Sequence, residues 1–293
     1  MRLLARNRQK IWVSILFLLP CVLIYSVLVI YPIIYSGYLS LTKWNGIGEK
    51  EFIGLINFTR LFANSDFLLS LKNTLMVTGI SLLLQIPIGL VLAYMLFRTK
   101  FLFKTFRAIY FVPVVIAPTA IGTMFSILLN NEVGVFKSIL EFIGLGALSR
   151  PWLSDSSVVL YVVILIQVWQ YIGTYIIIFL TSLQSIDEQI FESALIDGAN
   201  AVQTFFRIAI PQMRAILIVA VVFCFTGSMK SFDLPFIMTN GGPGYISSYL
   251  GNYMHRQVFQ GSNFGLGSAV TIVILIISLV FSLIFNRLAR EKD

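Results

Sequence analysis

Long uncharged apolar runs alternate along the chain with shorter polar segments. Residues 11–42 carry no charge, and their first part, IWVSILFLLPCVLIYSVLVIYPIIY, is apolar almost throughout. Further runs cover residues 73–97, 108–131 and 156–186. A fifth, from Ala215 to Met229, is interrupted by Lys230 and Asp233 before Leu234 resumes, and a sixth extends from about Gly265 to Phe285. A hydrocarbon core of about 30 Å is crossed by about 20 residues at 1.5 Å rise each, so every full run is long enough to span it. In lipid the backbone must satisfy its own hydrogen bonds, which leaves helices or a closed barrel. Barrel strands alternate over roughly 10 residues, whereas these runs are longer and apolar on every side. The pattern predicts an all-α membrane protein of six transmembrane helices, the first bent near Pro20 or Pro32. The preceding MRLLARNRQK is like the basic start of a signal peptide. The apolar stretch behind it is too long for one and ends without a small-residue cleavage site, so it reads as an uncleaved helix.

Composition agrees. Apolar types make up 58% of the 293 residues and charged types 12%, about half the charged share of a soluble domain, with mean hydropathy +0.89. This excludes a water-soluble enzyme, a disordered chain and a nucleic-acid module. The net charge of +8 could suggest a polyanion partner, but its location argues for orientation instead. With the N-terminus inside, the dense basic clusters Arg2, Arg6, Arg8, Lys10 and Arg98, Lys100, Lys104, Arg107 fall on the same side as Arg207, Arg214, Arg287, Arg290 and Lys292. The organisation expected is a cytoplasmic N-terminus at 1–10, a six-helix membrane domain at 11–287 with an inside loop at 183–211, and a cytoplasmic tail at 288–293. Cys21 and Cys224 lie in separate apolar runs and His255 is the one histidine, so neither a disulfide framework nor a metal site is expected.

The outside loops hold turn formers (WNGIG, SRPW, NGGPG), and Trp44, Trp152, Tyr245 and Tyr249 suit an interfacial belt. The inside loop is different. Ser185 with Glu188 three residues on reads as a capping box, and Ile190, Phe191, Ala194 and Leu195 recur at helical spacing beside Asp187, Glu188 and Glu192. Gly198 permits a turn, Asn200 with Gln203 starts a second helix, and Pro211 opens the fifth span. A lipid-surface helix is usually basic; this one is acidic, which favours a protein partner over headgroups.

In this loop Glu192-Ser193-Ala194, three residues, Gly198, nine residues and Ile208-Ala209-Ile210-Pro211 resemble the EAA-x3-G-x9-I-x-L-P motif of permease subunits of binding-protein-dependent ABC importers. Ser193 and Ile210 depart from it. The extended Glu-Ser-Ala-Leu-Ile-Asp-Gly-Ala, ending at Ala199, and Thr239-Asn240-Gly241-Gly242-Pro243 are similar to the carbohydrate branch, which includes maltose, oligosaccharide and glycerol-3-phosphate permeases. The resemblance implies a type I importer fold and alternating access. Its coupling helix would seat in an ATPase through Glu192, Ser193, Ala194, Asp197, Gly198, Ala199 and Pro211. The partners implied are two ATPase subunits, a second, generally different permease and an extracellular or periplasmic sugar-binding protein, in a prokaryotic cytoplasmic membrane with both termini inside. The chain has no G-x4-G-K-[ST] loop. It is therefore expected to be non-catalytic and to bind no cofactor, with ATP and Mg held by the ATPases.

For a translocation path, polar groups inside spans are the guide. The fourth run carries Gln167, Trp169, Gln170, Tyr171 and Thr174; the fifth carries Thr226, Gly227, Ser228, Lys230, Ser231 and Asp233. Amides beside aromatic planes suit sugars, which combine hydroxyls with apolar ring faces. Lys230 and Asp233, three apart on a helix, could neutralise each other, or sit at the outer rim. In the maltose branch, sugar contacts fall at the positions corresponding to Gln167, Trp169, Gln170, Tyr171, Thr174, Gly227, Ser228 and Ser231. The bland alternative is that these groups only bond helix to helix. An ion-coupled secondary transporter would show an internal repeat and midplane carboxylates, and a polytopic membrane enzyme would show a catalytic cluster.

Overall fold

Prolines decide where the apolar runs bend. The structure is a computed structural model that describes residues 16–99 and 103–290. The basic cluster at Arg2 to Lys10, the start of the first run at 11–15, Lys100 and the tail from 291 lie outside the described residues. Among the described residues five helices have the length and apolarity to cross a membrane, and a bent pair makes a sixth if it counts as one span.

The chain divides into two compact units. The first comprises the described residues up to Ala63 together with Met254–Val273. Its helix α1 (Leu16–Ser40) is exposed along its apolar length. Before Pro32, one of the two prolines at which a bend was expected, the helix widens into a π turn at Ser26–Ile30. Pro32 lacks an N–H and crowds the carbonyl four residues back, and the wider turn just before it accommodates both effects. A two-residue hairpin follows, β1 (Thr42–Lys43) against antiparallel β2 (Glu51–Phe52), then helix α2 (Ile56–Ala63). The buried Asn57 amide donates to the carbonyls of Ser40 and Thr42, both at 2.8 Å, and ties α2 to the end of α1.

The second unit comprises Asn64–Tyr253 and the chain from Ile274. Its helices are α3 (Ser65–Arg98), α4 (Phe103–Val115), α5 (Pro118–Leu128), α6 (Val135–Phe142), α7 (Val159–Gln184), α8 (Glu188–Ile196), α9 (Ala201–Thr204), α10 (Arg214–Met229) and α11 (Asp233–Thr239). A short helix α12 (Leu250–His255) and the last span α13 (Phe264–Arg290) each run across the division between the units. Helices α3 and α7 pack against each other, with α4 on α7 and α10 on α3. Close approach needs glycine: a Cβ on Gly89 of α3 would stand 3.0 Å from that of Tyr175, and one on Gly173 would strike the Tyr110 carbonyl oxygen of α4. Ala93, Phe179, Leu183, Ala220 and Cys224 are fully buried between these helices.

The run at 108–131 is not one straight helix. Its halves meet at 97°, because Pro118 pushes Ala117 out of the helical region (ψ 134) and then serves as the first residue of α5. The fifth span also breaks, between Met229 and Asp233. Pro235 could not continue a helix past the Ser231 carbonyl, whereas in the first turn of α11 its missing N–H costs nothing. Lys230 and Asp233 therefore flank a break. They do not share a continuous helix face, and no ion pair joins them.

Candidate functional site

That break opens onto a polar cleft. Non-helical backbone at membrane depth persists only where it is buried in protein or lines a cavity, and Lys230 and Ser231 do the latter. The cleft, of about 230 Å³, is lined by Gln85 of α3, Gln167, Tyr171 and Tyr175 of α7, Phe223, Cys224, Gly227 and Ser228 of α10, and Lys230, Ser231 and Asp233 at the break. The Ser231 hydroxyl donates to Gln167 Oε1 at 2.8 Å, joining the break to α7. Deeper, the Cys224 thiol donates to Gln85 Oε1 at 3.4 Å and Gln85 Nε2 reaches the Val168 carbonyl at 3.4 Å. The Tyr175 ring lies 6.4 Å from that of Phe223. The cleft thus joins amides, hydroxyls, an ammonium and a carboxylate to aromatic rings. Such a set can satisfy both donors and acceptors of a polyhydroxylated ligand.

Of the residues expected on the path, Gln167, Tyr171, Gly227, Ser228, Lys230, Ser231 and Asp233 come together here. Trp169, Gln170 and Thr174 do not. Trp169 projects from another face of α7, half exposed against Phe125 at 5.5 Å. Gln170 is buried with its amide directed at the Ile116 carbonyl, where it supports the α4–α5 bend. Thr174 is partly exposed outside the cleft. Sequence reasoning missed Gln85, Tyr175, Phe223 and Cys224; a lone amide in the SLLLQIPIGL run was a usable signal for Gln85.

At the other end of these helices is the loop that carries the Glu192 motif. Its first helix starts two residues later than expected. Asp187, rather than Ser185, caps α8 by accepting from the Gln189 N–H at 3.0 Å, while Ser185 closes α7 through its bond to the Ser182 carbonyl. Asp187 and Glu188 complement the positive end of α8. Phe191 packs on Phe97 of α3 at 5.2 Å and Ala194 is buried, which fixes one face. The opposite face presents Glu192, Ser193, Leu195, Ile196 and Asp197 to the outside, Ile196 85% exposed. Gly198 adopts φ +75 and closes a Schellman turn, with Gly198 N–H to the Leu195 carbonyl at 3.1 Å and Ala199 N–H to the Ala194 carbonyl at 2.9 Å. Asn200 and Gln203 cap each other reciprocally at 2.9 Å, as the sequence implied. From α9 the chain continues through a π turn (Phe205–Ala209) to Ile210–Gln212, where exposed Pro211 precedes α10.

At the opposite end, Thr239-Asn240-Gly241-Gly242-Pro243 forms a turn in which Asn240 and Gly241 take left-handed backbone (φ 50 and 75) and Thr239 Oγ1 meets Ser247 Oγ at 2.8 Å. The following segment is stitched to α3: Asn73 Nδ2 faces the carbonyls of Tyr245, Ile246 and Ser248 at 3.3, 2.8 and 3.0 Å, and Thr74 Oγ1 accepts from Leu250 N–H at 2.9 Å. Tyr249, expected in an interfacial belt, is fully buried there among Val77, Ile121 and Leu160. Burial pushes its hydroxyl far above the ordinary range, and that of Tyr253 up to about 12.

Residues 85–291 match the family described as binding-protein-dependent transport system inner membrane component. The chain is 38% identical over 273 residues to the probable ABC transporter permease protein YurN of Bacillus subtilis, with 92% of each chain covered. It is 31% identical over 263 residues to the arabinooligosaccharides transport system permease protein AraP of the same organism, covering 89% of this chain and 83% of that one. Its fold is similar to that of a bacterial ABC transporter involved in the import of the acidic polysaccharide alginate, with a TM-score of 0.86 at 24% identity and 98% of both chains covered.

Proposed function

We propose that this chain, which belongs to the family of binding-protein-dependent transport system inner membrane components, moves a sugar or oligosaccharide through the Gln167–Ser231 cleft by alternating access. It is the permease subunit of an ABC importer. The observation that carries the assignment of the path is the polar cleft at the break of α10 and α11, in a span that is otherwise apolar. Relatives named for arabinooligosaccharide and multiple-sugar transport support a carbohydrate substrate, as do the paired amides and aromatic rings.

In this reading the exposed face of α8, with Glu192, Leu195, Ile196 and Asp197, seats in an ATPase subunit that carries ATP and Mg. Closure of two ATPases moves α8, and through Phe191 on Phe97 and the Schellman turn that displacement passes to α3 and α9. A second permease completes the path, and an extracellular or periplasmic binding protein delivers the sugar. Both termini lie in the cytoplasm.

The test is reconstitution of the chain with its cognate ATPase, second permease and binding protein, followed by uptake of labelled mono- and oligosaccharides. ATP-dependent accumulation is expected, abolished together with ATPase co-purification by Glu192→Lys. Accumulation driven by an ion gradient without ATP would point to a secondary transporter and overturn the reading.

A further inference from the structure

Helix α6 (Val135–Phe142) has three different faces where a helix at a protein surface in water needs two. At 3.6 residues per turn, Phe136 and Leu140 share one side, Lys137, Ser138 and Glu141 a second, and Val135, Ile139 and Phe142 a third. The first is turned inward: Leu140 is buried and Phe136 packs edge-on to Trp152 at 5.8 Å. The second is exposed and polar. The third is apolar yet uncovered, Phe142 being 91% exposed. Three conditions around one helix, protein on one side, water on another and nothing for the third, describe a helix lying at a membrane surface.

Its place in the chain imposes that position. Residues 129–134 join it to α5 through a tight turn, with Gly134 N–H bonded to the Asn130 carbonyl at 3.0 Å. The next element after Phe142 long enough to cross a membrane is α7. Tethered between two membrane segments, α6 stays near the interface. Beside it a hollow of about 340 Å³, lined only by apolar side chains including Phe125, Phe136, Ile139, Trp152 and Leu165, is open to the outside. Its shape and lining suit an acyl chain. Arg150 lies 5.7 Å over the Trp152 ring, an aromatic–cation pair of the kind that marks headgroup depth.

We infer that α6 is an interfacial helix whose Val135–Ile139–Phe142 face inserts among the acyl chains of the extracytoplasmic leaflet, with Lys137 and Glu141 turned to water. The loop at 130–157 is then a membrane-seated collar, and docking of a binding protein is left to other outside segments.

Site-directed spin labelling of the full chain in phospholipid nanodiscs tests this. Cys21 is exposed and is first replaced by alanine; Cys224 is buried and stays. Labels at Ile139→Cys and Phe142→Cys are compared with one at Glu141→Cys, with Leu83→Cys in the exposed middle of α3 as the lipid reference and Ile47→Cys in the outside hairpin as the water reference. Collisions with oxygen are expected to exceed those with a water-soluble nickel chelate severalfold at 139 and 142, as at 83, and the order is expected to reverse at 141, as at 47. Nickel access at 139 and 142 equal to that at 47 would place the face in water and overturn the inference. Protection of both from either reagent would assign the face to a protein partner and overturn it equally. Neither readout depends on transport, so the proposed function stands or falls separately.

Discussion

Replacement of Gly198 separates backbone conformation from side-chain contact in the loop that carries the Glu192 motif. Its φ of +75 lies in the left-handed region, and an added Cβ would meet nothing within 4 Å, so within the chain the whole cost is local. An ordinary L-residue there costs about 1–2 kcal/mol; asparagine tolerates this region better, and a β-branched residue fits it worst. With about 1.4 kcal/mol per tenfold change in population, Gly198→Ala should lower the fraction of chains with an intact Schellman turn by about tenfold relative to frayed forms. Gly198→Asn should fall less and Gly198→Val more. Two measurements read the series: hydrogen exchange of the α8 amides, and co-purification with the ATPase. Both should follow Gly, Asn, Ala, Val in descending order, while the apolar spans keep membrane insertion unchanged. The reasoning fails if valine protects α8 as well as glycine does. It fails also if asparagine abolishes ATPase binding while the α8 amides stay protected, since contact rather than conformation would then govern this position.

Two further outcomes concern Asn73 and Asp155. Asn73→Ala removes an amide that faces three carbonyls but has only two hydrogens; with about 1 kcal/mol lost per bond, denaturation of the full chain in micelles should register about 2 kcal/mol, and Asn73→Asp, which has only acceptors to offer, should be worse. Asp155 accepts from the Ser157 hydroxyl at 2.6 Å and its N–H at 2.9 Å, which, with Arg150 at 3.8 Å, holds its carboxyl below the ordinary 3.8. A depressed carboxyl contributes stability above its unfolded value and loses it as pH falls through the folded one, so protection of the Ser157 amide should decline as pH falls from the ordinary 3.8 through the lowered folded value in the native chain and lose that dependence in Asp155→Asn.

Much of this protein is written in one dimension. The apolar runs fix that the chain is helical and membrane-spanning, because lipid leaves the backbone no other partner. The turn at Gly198 and the reciprocal cap of Asn200 and Gln203 were legible because both are local: the residues that make the geometry stand within three or four positions of one another. The cap at Asp187 was misplaced by two residues for a related reason, since Ser185 is better used in ending α7 than in starting α8.

The cleft is of another kind. That Gln167 and Tyr171 face it while Trp169, Gln170 and Thr174 do not depends on how α7 is rotated against its neighbours, where Gly89 of α3 and Gly173 against α4 permit close approach. Gln85 and Cys224 join it from helices 139 residues apart in sequence. Lys230 and Asp233 read as an ion pair on a helix until Pro235 breaks that helix and turns both into the lining of a cavity. Sequence settles the solvent of each segment, because burial in lipid acts residue by residue. Only packing decides which polar side chains meet, because that depends on the angle and separation of helices that no local pattern encodes.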